Sequence, residues 1–93
     1  MKILENEFIG KEEVKGFRFK QVQKSNIAYI YEVDSGSSIY YEVFRRVVNN
    51  KYQKEVYPMA KHFSIWAWTH MSYENAKRKF NQLNTVNDEK SKI

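Results

Sequence analysis

The chain of 93 residues has no cysteine, one proline and three glycines. Without cysteine there is no disulfide framework, no thiolate nucleophile and none of the commonest structural zinc sites. Small secreted domains generally need such staples, so a cytoplasmic location is expected. Glycines at positions 10, 16 and 36 are too scattered to cradle a phosphate, which disfavours nucleotide-dependent chemistry, and no cofactor is expected. No hydrophobic run approaches the roughly 20 residues of a membrane span, and MKILENEFIGKEEV carries acids where a signal peptide has an apolar stretch. A soluble chain with no membrane partner is the expectation. Histidine is scarce too. His62 and His70 flank an expected strand, and at about 3.3 Å per residue their backbones would lie roughly 26 Å apart. They therefore offer no acid–base pair and no shared metal site, and neither a catalytic residue nor a small-molecule substrate is expected.

What is present is aromatic and basic. Hydrophobic residues at 42% and aromatics at 16% are enough to fold one domain, and a chain of this length cannot support two separate cores. The net charge of +5 favours anionic partners. Its distribution is uneven. Glu5, Glu7, Glu12 and Glu13 outweigh Lys2 and Lys11, then Lys15, Arg18, Lys20 and Lys24 follow with no acid among them. Arg45, Arg46, Lys51, Lys54 and Lys61 face only Glu55, and Lys77-Arg78-Lys79 form a third block.

Residues 1–14 read as an arm or short strand, 15–84 as a single α+β domain, and 85–93 as a flexible tail. FRFKQV alternates with a period of two after Gly16. IAYIYEV puts Ile27, Tyr29, Tyr31 and Val33 on one side and Ala28, Ile30 and Glu32 on the other, the mark of a central strand. Asp34-Ser35-Gly36-Ser37 is a hairpin signal, IYYEVFRRVV a long strand and Asn49-Asn50 a further turn, from which KYQKEVY is expected to pair back. Pro58 ends that ladder. FSIWAWT reads as the last strand, with Phe63, Ile65 and Ala67 on one face and Ser64, Trp66 and Trp68 on the other. Ser72 is a helix N-cap, Glu74 suits the first turn, and Tyr73, Ala76, Phe80 and Leu83 form one apolar face; Ile65 and Tyr73 are both read as core. The expected architecture is an antiparallel sheet of four or five strands with one C-terminal helix packed on one face. The other face is left exposed, covered by the arm, or used for binding.

Aromatics interleaved with cations are the feature that bears on function. Stacking a base on an aromatic ring contributes about 1–3 kcal/mol, and each neutralised phosphate adds a salt-dependent increment. Tyr40, Phe44, Trp66 and Trp68 are candidate stacking residues if the helix covers the opposite face, with the core as the alternative place for both tryptophans. Arg18, Lys20, Arg45, Arg46, Lys51, Lys54, Lys77 and Arg78 are candidate phosphate or partner contacts.

Two resemblances add to this. A strand ending in tryptophan, a short turn, and Ser72, Glu74, Ala76 and Phe80 in the order S-x-E-x-A-x-x-x-F resemble the end of AP2-type and integrase arm-binding domains. Those domains insert a three-stranded sheet into the DNA major groove. The run YYEVFRRVV, then Tyr57-Pro58, then WAWT, then Ala76 and Lys79-Phe80 is similar to short bacterial and prophage accessory proteins, over residues 15–83 or so. That likeness implies stoichiometric binding, including inhibition of host defences such as CRISPR nucleases. It carries no functional residues. A DNA mimic would be acidic, so RNA or a nucleoprotein such as an RNA-guided nuclease is the expected partner. The expectation is thus a non-catalytic binding protein, most concretely an accessory inhibitor of the anti-CRISPR type. A regulatory DNA- or RNA-binding domain is the alternative, and a minimal ribonuclease or toxin the third.

Overall fold

The computed structural model describes the backbone of residues 1–92 and the side chains of residues 1–85. Five strands form one antiparallel sheet in the order β1-β2-β3-β4-β7: β1 (Glu7–Ile9), β2 (Arg18–Lys24), β3 (Ala28–Asp34), β4 (Ile39–Arg45) and β7 (Ala67–His70). A separate two-stranded hairpin, β5 (Val48–Asn49) with β6 (Lys54–Glu55), interrupts the path from β4 to β7. A single helix, α1 (Tyr73–Lys92), follows β7. The α+β architecture expected from the sequence is the one observed. The helix continues past Asn84, and the expected tail of 85–93 lies, apart from Thr85 and that helical backbone, outside the described residues.

β3 is central because both of its faces are apolar. Tyr29, Tyr31 and Val33 join Phe19, Phe44 and Ala67 on one side of the sheet, while Ala28 and Ile30 join Val43, Ala76, Phe80 and Leu83 on the other. The second cluster lies under α1, which starts at Ser72: the Oγ of that residue accepts the Asn75 amide at 3.2 Å. The first cluster is covered by the arm and by the excursion between β4 and β7. Leu4, Phe8, Val14, Tyr57, Phe63 and Trp66 pack onto it. Tyr57 sets its ring edge-on to Phe8, Phe19, Tyr31 and Phe44 at 4.9–5.4 Å, contacts that contribute about 1 kcal/mol each beyond burial.

The arm is fixed at both ends. Gly10 is buried so tightly that a Cβ there would lie 2.3 Å from the Val14 carbonyl oxygen, so no other residue lets the chain turn between β1 and β2 in this way. At the start of the chain, Glu55 has a side chain only 2% exposed and accepts hydrogen bonds from the Leu4 amide at 3.0 Å, the Tyr29 hydroxyl and Arg46 Nε. Burial pushes the Glu55 carboxyl up, but the three donors and the guanidinium charge outweigh it, and its pKa sits below the ordinary 4.5.

Two expectations are corrected. KYQKEVY pairs back only on the end of the IYYEVFRRVV run, with Lys54 and Glu55 opposite Asn49 and Val48 and the Val56 amide donating to the Val47 carbonyl at 2.9 Å, because the chain leaves the sheet after Arg45 and β7 takes the free edge of β4. Nor is FSIWAWT one strand. Ser64 takes φ +75° and its amide bonds the Ala67 carbonyl at 2.7 Å, so the chain folds back and strand begins only at Ala67. Ile65 consequently stands 70% exposed rather than in the core. Tyr73 is likewise exposed at the helix start, where its hydroxyl accepts from Gln23 Nε2 at 2.9 Å.

Replacing Glu55 by Ala leaves the buried Tyr29 hydroxyl and the Leu4 amide without an acceptor, while Arg46, a third exposed, keeps access to water, and urea denaturation is expected to show a loss of about 2–4 kcal/mol. The depressed carboxyl pKa fixes the pH behaviour. The Glu55 contribution is complete above about pH 4.5 and is lost as pH falls through the folded-state value, because the unfolded chain takes up the proton first. Glu55→Gln is expected to lack that part of the acid-induced loss in a denaturation series from pH 6 to 3.

Candidate nucleic-acid interface

The expected candidate residues do not assemble on one sheet face. Phe44 is completely buried, and Trp66 lies edge-on to it at 6.4 Å with the His62 ring 4.6 Å away on its other side. Tyr40 packs against the same cluster. Trp68 faces the other way, beneath α1, with Lys79 Nζ 3.9 Å from its ring centroid. The four aromatics therefore cannot form one stacking platform: the arm fills one face and the helix the other. Phe44 has no surface to offer a partner at all.

Several of the cations are engaged within the fold as well, Arg46 and Arg78 in ion pairs and Lys77 over an aromatic ring. Arg18 and Lys20 stand opposite Asp34 and Glu32 on β3, with Glu7 of β1 facing Lys20. Acids thus stand across from both in register, although neither cation forms an ion pair among the described residues. Lys77 lies over the Phe80 ring at 5.0 Å, and Arg78 bonds Glu74 at 2.8 Å and Asn75 at 3.0 Å. Arg45 closes β4 opposite Ala28, and Arg46 is held by Glu55 and by the Met1 sulfur at 3.4 Å. His70 is on the helix side, its buried Nε2 without a partner among the described residues; burial and then the charge of Lys79 pull its pKa down, which keeps the imidazole neutral near pH 7.

Lys51 and Lys54 are different, because the β5–β6 hairpin brings them to an exposed aromatic ring that sequence reading passed over. Asn49 Oδ1 accepts the amides of Lys51 at 3.0 Å and Tyr52 at 3.2 Å, and Gln53 takes φ +52° with its Nε2 donating to the Asn50 carbonyl at 2.8 Å. This turn presents Tyr52 to solvent, 62% exposed. Lys51 Nζ lies 5.4 Å and Lys54 Nζ 5.8 Å from its ring centroid. Lys2 is brought alongside: its amide donates to the Gln53 carbonyl at 3.0 Å, and its own carbonyl accepts the Glu55 amide at 2.9 Å. Glu55, the sole acid of the hairpin, is buried and neutralised by Arg46. An exposed ring flanked by two lysines has the two components that bind a nucleic-acid strand, a stacking surface and phosphate-neutralising charge. The signal available in the sequence was K-Y-Q-K directly after Asn49-Asn50. It reads as a strand until the turn is drawn two residues longer.

No family model, curated protein or solved structure matches this chain. Among the described residues no helix is long and apolar enough to cross a membrane, and no group of three or more His, Asp or Glu is placed to hold a metal ion.

Surface and core aromatics are expected to separate sharply in thermal or urea denaturation. Tyr52→Ala changes stability by no more than about 0.5 kcal/mol, whereas Phe44→Ala costs about 3–5 kcal/mol.

Proposed function

We propose that this chain is a non-catalytic binding protein that engages RNA, or a nucleoprotein carrying it, through the tip of the β5–β6 hairpin. The observation that carries this reading is the exposed Tyr52 ring flanked by Lys51 and Lys54 with no uncompensated acid on the hairpin. A ring stacks on any base, and lysines contact phosphates without regard to sequence, so recognition here is of an accessible single strand rather than of a base sequence. The most concrete form of the proposal is an accessory inhibitor from a phage or mobile element, acting on an RNA-guided nuclease or its RNA. A basic rather than DNA-mimicking charge supports this.

The test is a titration against labelled single-stranded RNA, single-stranded DNA and duplex DNA over a range of salt, with RNA integrity followed in parallel. The unmodified protein is expected to bind single strands and to leave them intact. Lys51→Glu with Lys54→Glu is expected to abolish that binding at physiological salt. Milder Lys→Ala changes at both positions are expected to make the salt slope shallower by about 1.4, at about 0.7 per phosphate contact. RNA consumed with turnover would overturn the non-catalytic reading. Binding that is indifferent to Lys51 and Lys54 would remove the hairpin from it. Equimolar inhibition of an RNA-guided nuclease is the outcome that supports the inhibitor form; binding of free nucleic acid without inhibition supports a regulatory domain instead.

A further inference from the structure

Between the arm and the segment that runs from β6 to Phe63 lies a cleft of ≈ 1200 Å³. Its volume exceeds what a small-molecule site needs and suits a stretch of polypeptide. Ile3, Ile9 and Met59, all largely exposed, line it and form an apolar wall. Isolated exposed hydrophobics are ordinary, but three converging on one cleft mark a contact surface.

Glu42 also lines the cleft. Its Oε1 accepts the Tyr57 hydroxyl at 2.5 Å, and no cation lies within ion-pairing distance of it among the described residues. Burial raises its pKa, against the lowering effect of the Tyr57 hydrogen bond, as befits a carboxylate supplied with a neutral donor and no counter-charge. This differs from Glu55, whose charge is answered by Arg46. Glu5, Glu12 and Glu13 add carboxylates to the cleft walls and, with Glu42 and Glu55, outnumber its lysines Lys2, Lys11 and Lys54, the last of which lies over the Tyr52 ring. A protein of net charge +5 thus presents, in a cleft with an apolar wall, a carboxylate without an ion-pair partner among the described residues.

We propose that this cleft is a second binding site, for an extended segment of a partner protein that lays apolar side chains on Ile3, Ile9 and Met59 and places a lysine or arginine on Glu42. The complementarity is specific in kind. A cation would supply the charge that Glu42 lacks, and alternate residues of an extended chain reach the apolar wall and the floor respectively. An acidic segment is rejected by the same carboxylates. The cleft borders the hairpin at Lys2, Lys54 and Glu55, while Lys51 and Tyr52 stand outside its lining.

The experiment uses the full chain labelled with ¹⁵N, titrated with the acetylated and amidated pentapeptide Val-Arg-Val-Lys-Val and with Val-Glu-Val-Glu-Val as its counterpart. The basic peptide is expected to shift the amides of Leu4, Gly10 and Thr69 saturably, and the acidic one to leave them in place. Glu42→Gln, which keeps an acceptor for Tyr57, is expected to weaken binding at least tenfold. Met59→Ser, at an exposed position that leaves the fold intact, is expected to weaken it severalfold. The hairpin variant Lys51→Glu with Tyr52→Ala, at two positions outside the cleft lining, is expected to bind the peptide as the unmodified protein does. No saturable shift at millimolar peptide, equal shifts from both peptides, shifts confined to residues 49–54, or full affinity in Glu42→Gln would each overturn the proposal.

Discussion

The carboxylate of Glu55 is the point through which the remainder of the molecule is held in place. A buried ion survives only where donors replace the water it has lost, and here those donors come from three separate parts of the chain: Leu4 in the arm, Tyr29 on the central strand and Arg46 at the base of the hairpin. Arm, sheet and hairpin therefore cannot shift independently. Two residues further on, Tyr57 extends the same tie into the aromatic cluster by turning its edge to four rings. The segment from Glu55 to Tyr57 is nearly without regular structure, yet it joins the polar anchor to the apolar cover.

Net charge is a poor guide to the functional surface of this protein, because so many cations serve the fold. Lys79 caps Trp68, Lys77 covers Phe80, Arg46 answers Glu55, and Arg78 pairs along its own helix. Their stems shield apolar surface as their charged ends remain near water. The lysines of the hairpin tip surround an aromatic ring that belongs to no core cluster, and this is what distinguishes them. On the other side of the ledger, the acids that look solvated in the sequence include two, Glu42 and Glu55, that lie within the cover of the sheet.

The sheet and helix were legible where each residue answers to a regular period. β3 alternates Tyr29, Tyr31 and Val33 with Ala28 and Ile30 because both faces are buried, and α1 announces itself through Ser72 and the spacing of Ala76, Phe80 and Leu83. The excursion from Arg46 to Trp66 was not legible. Its aromatics are spaced to plug a cluster assembled from distant strands, and its reversal at Ser64 imitates the alternation of a strand for four residues. The site was legible only in Lys51 and Lys54. Tyr52 was hidden by a turn longer than Asn49-Asn50, and Glu42 by its place inside the IYYEVFRRVV run, where no spacing singles it out as a site residue. It stands two residues from Tyr40 on one side and Phe44 on the other, and residues so spaced share a face.

β2 contains an irregularity whose reach is wider than its size. The register slips between Gln21 and Gln23, so Val22 is an extra residue in the pairing with β3. Before it, Phe19 and Gln21 look toward the arm, with Gln21 donating to the Tyr31 hydroxyl; after it, Gln23 reaches the helix through Tyr73. One strand thereby changes phase midway and serves both covers of the sheet. Two glutamines two positions apart thus serve opposite faces of the sheet, Gln21 through Tyr31 and Gln23 through Tyr73, an arrangement that strict alternation would forbid.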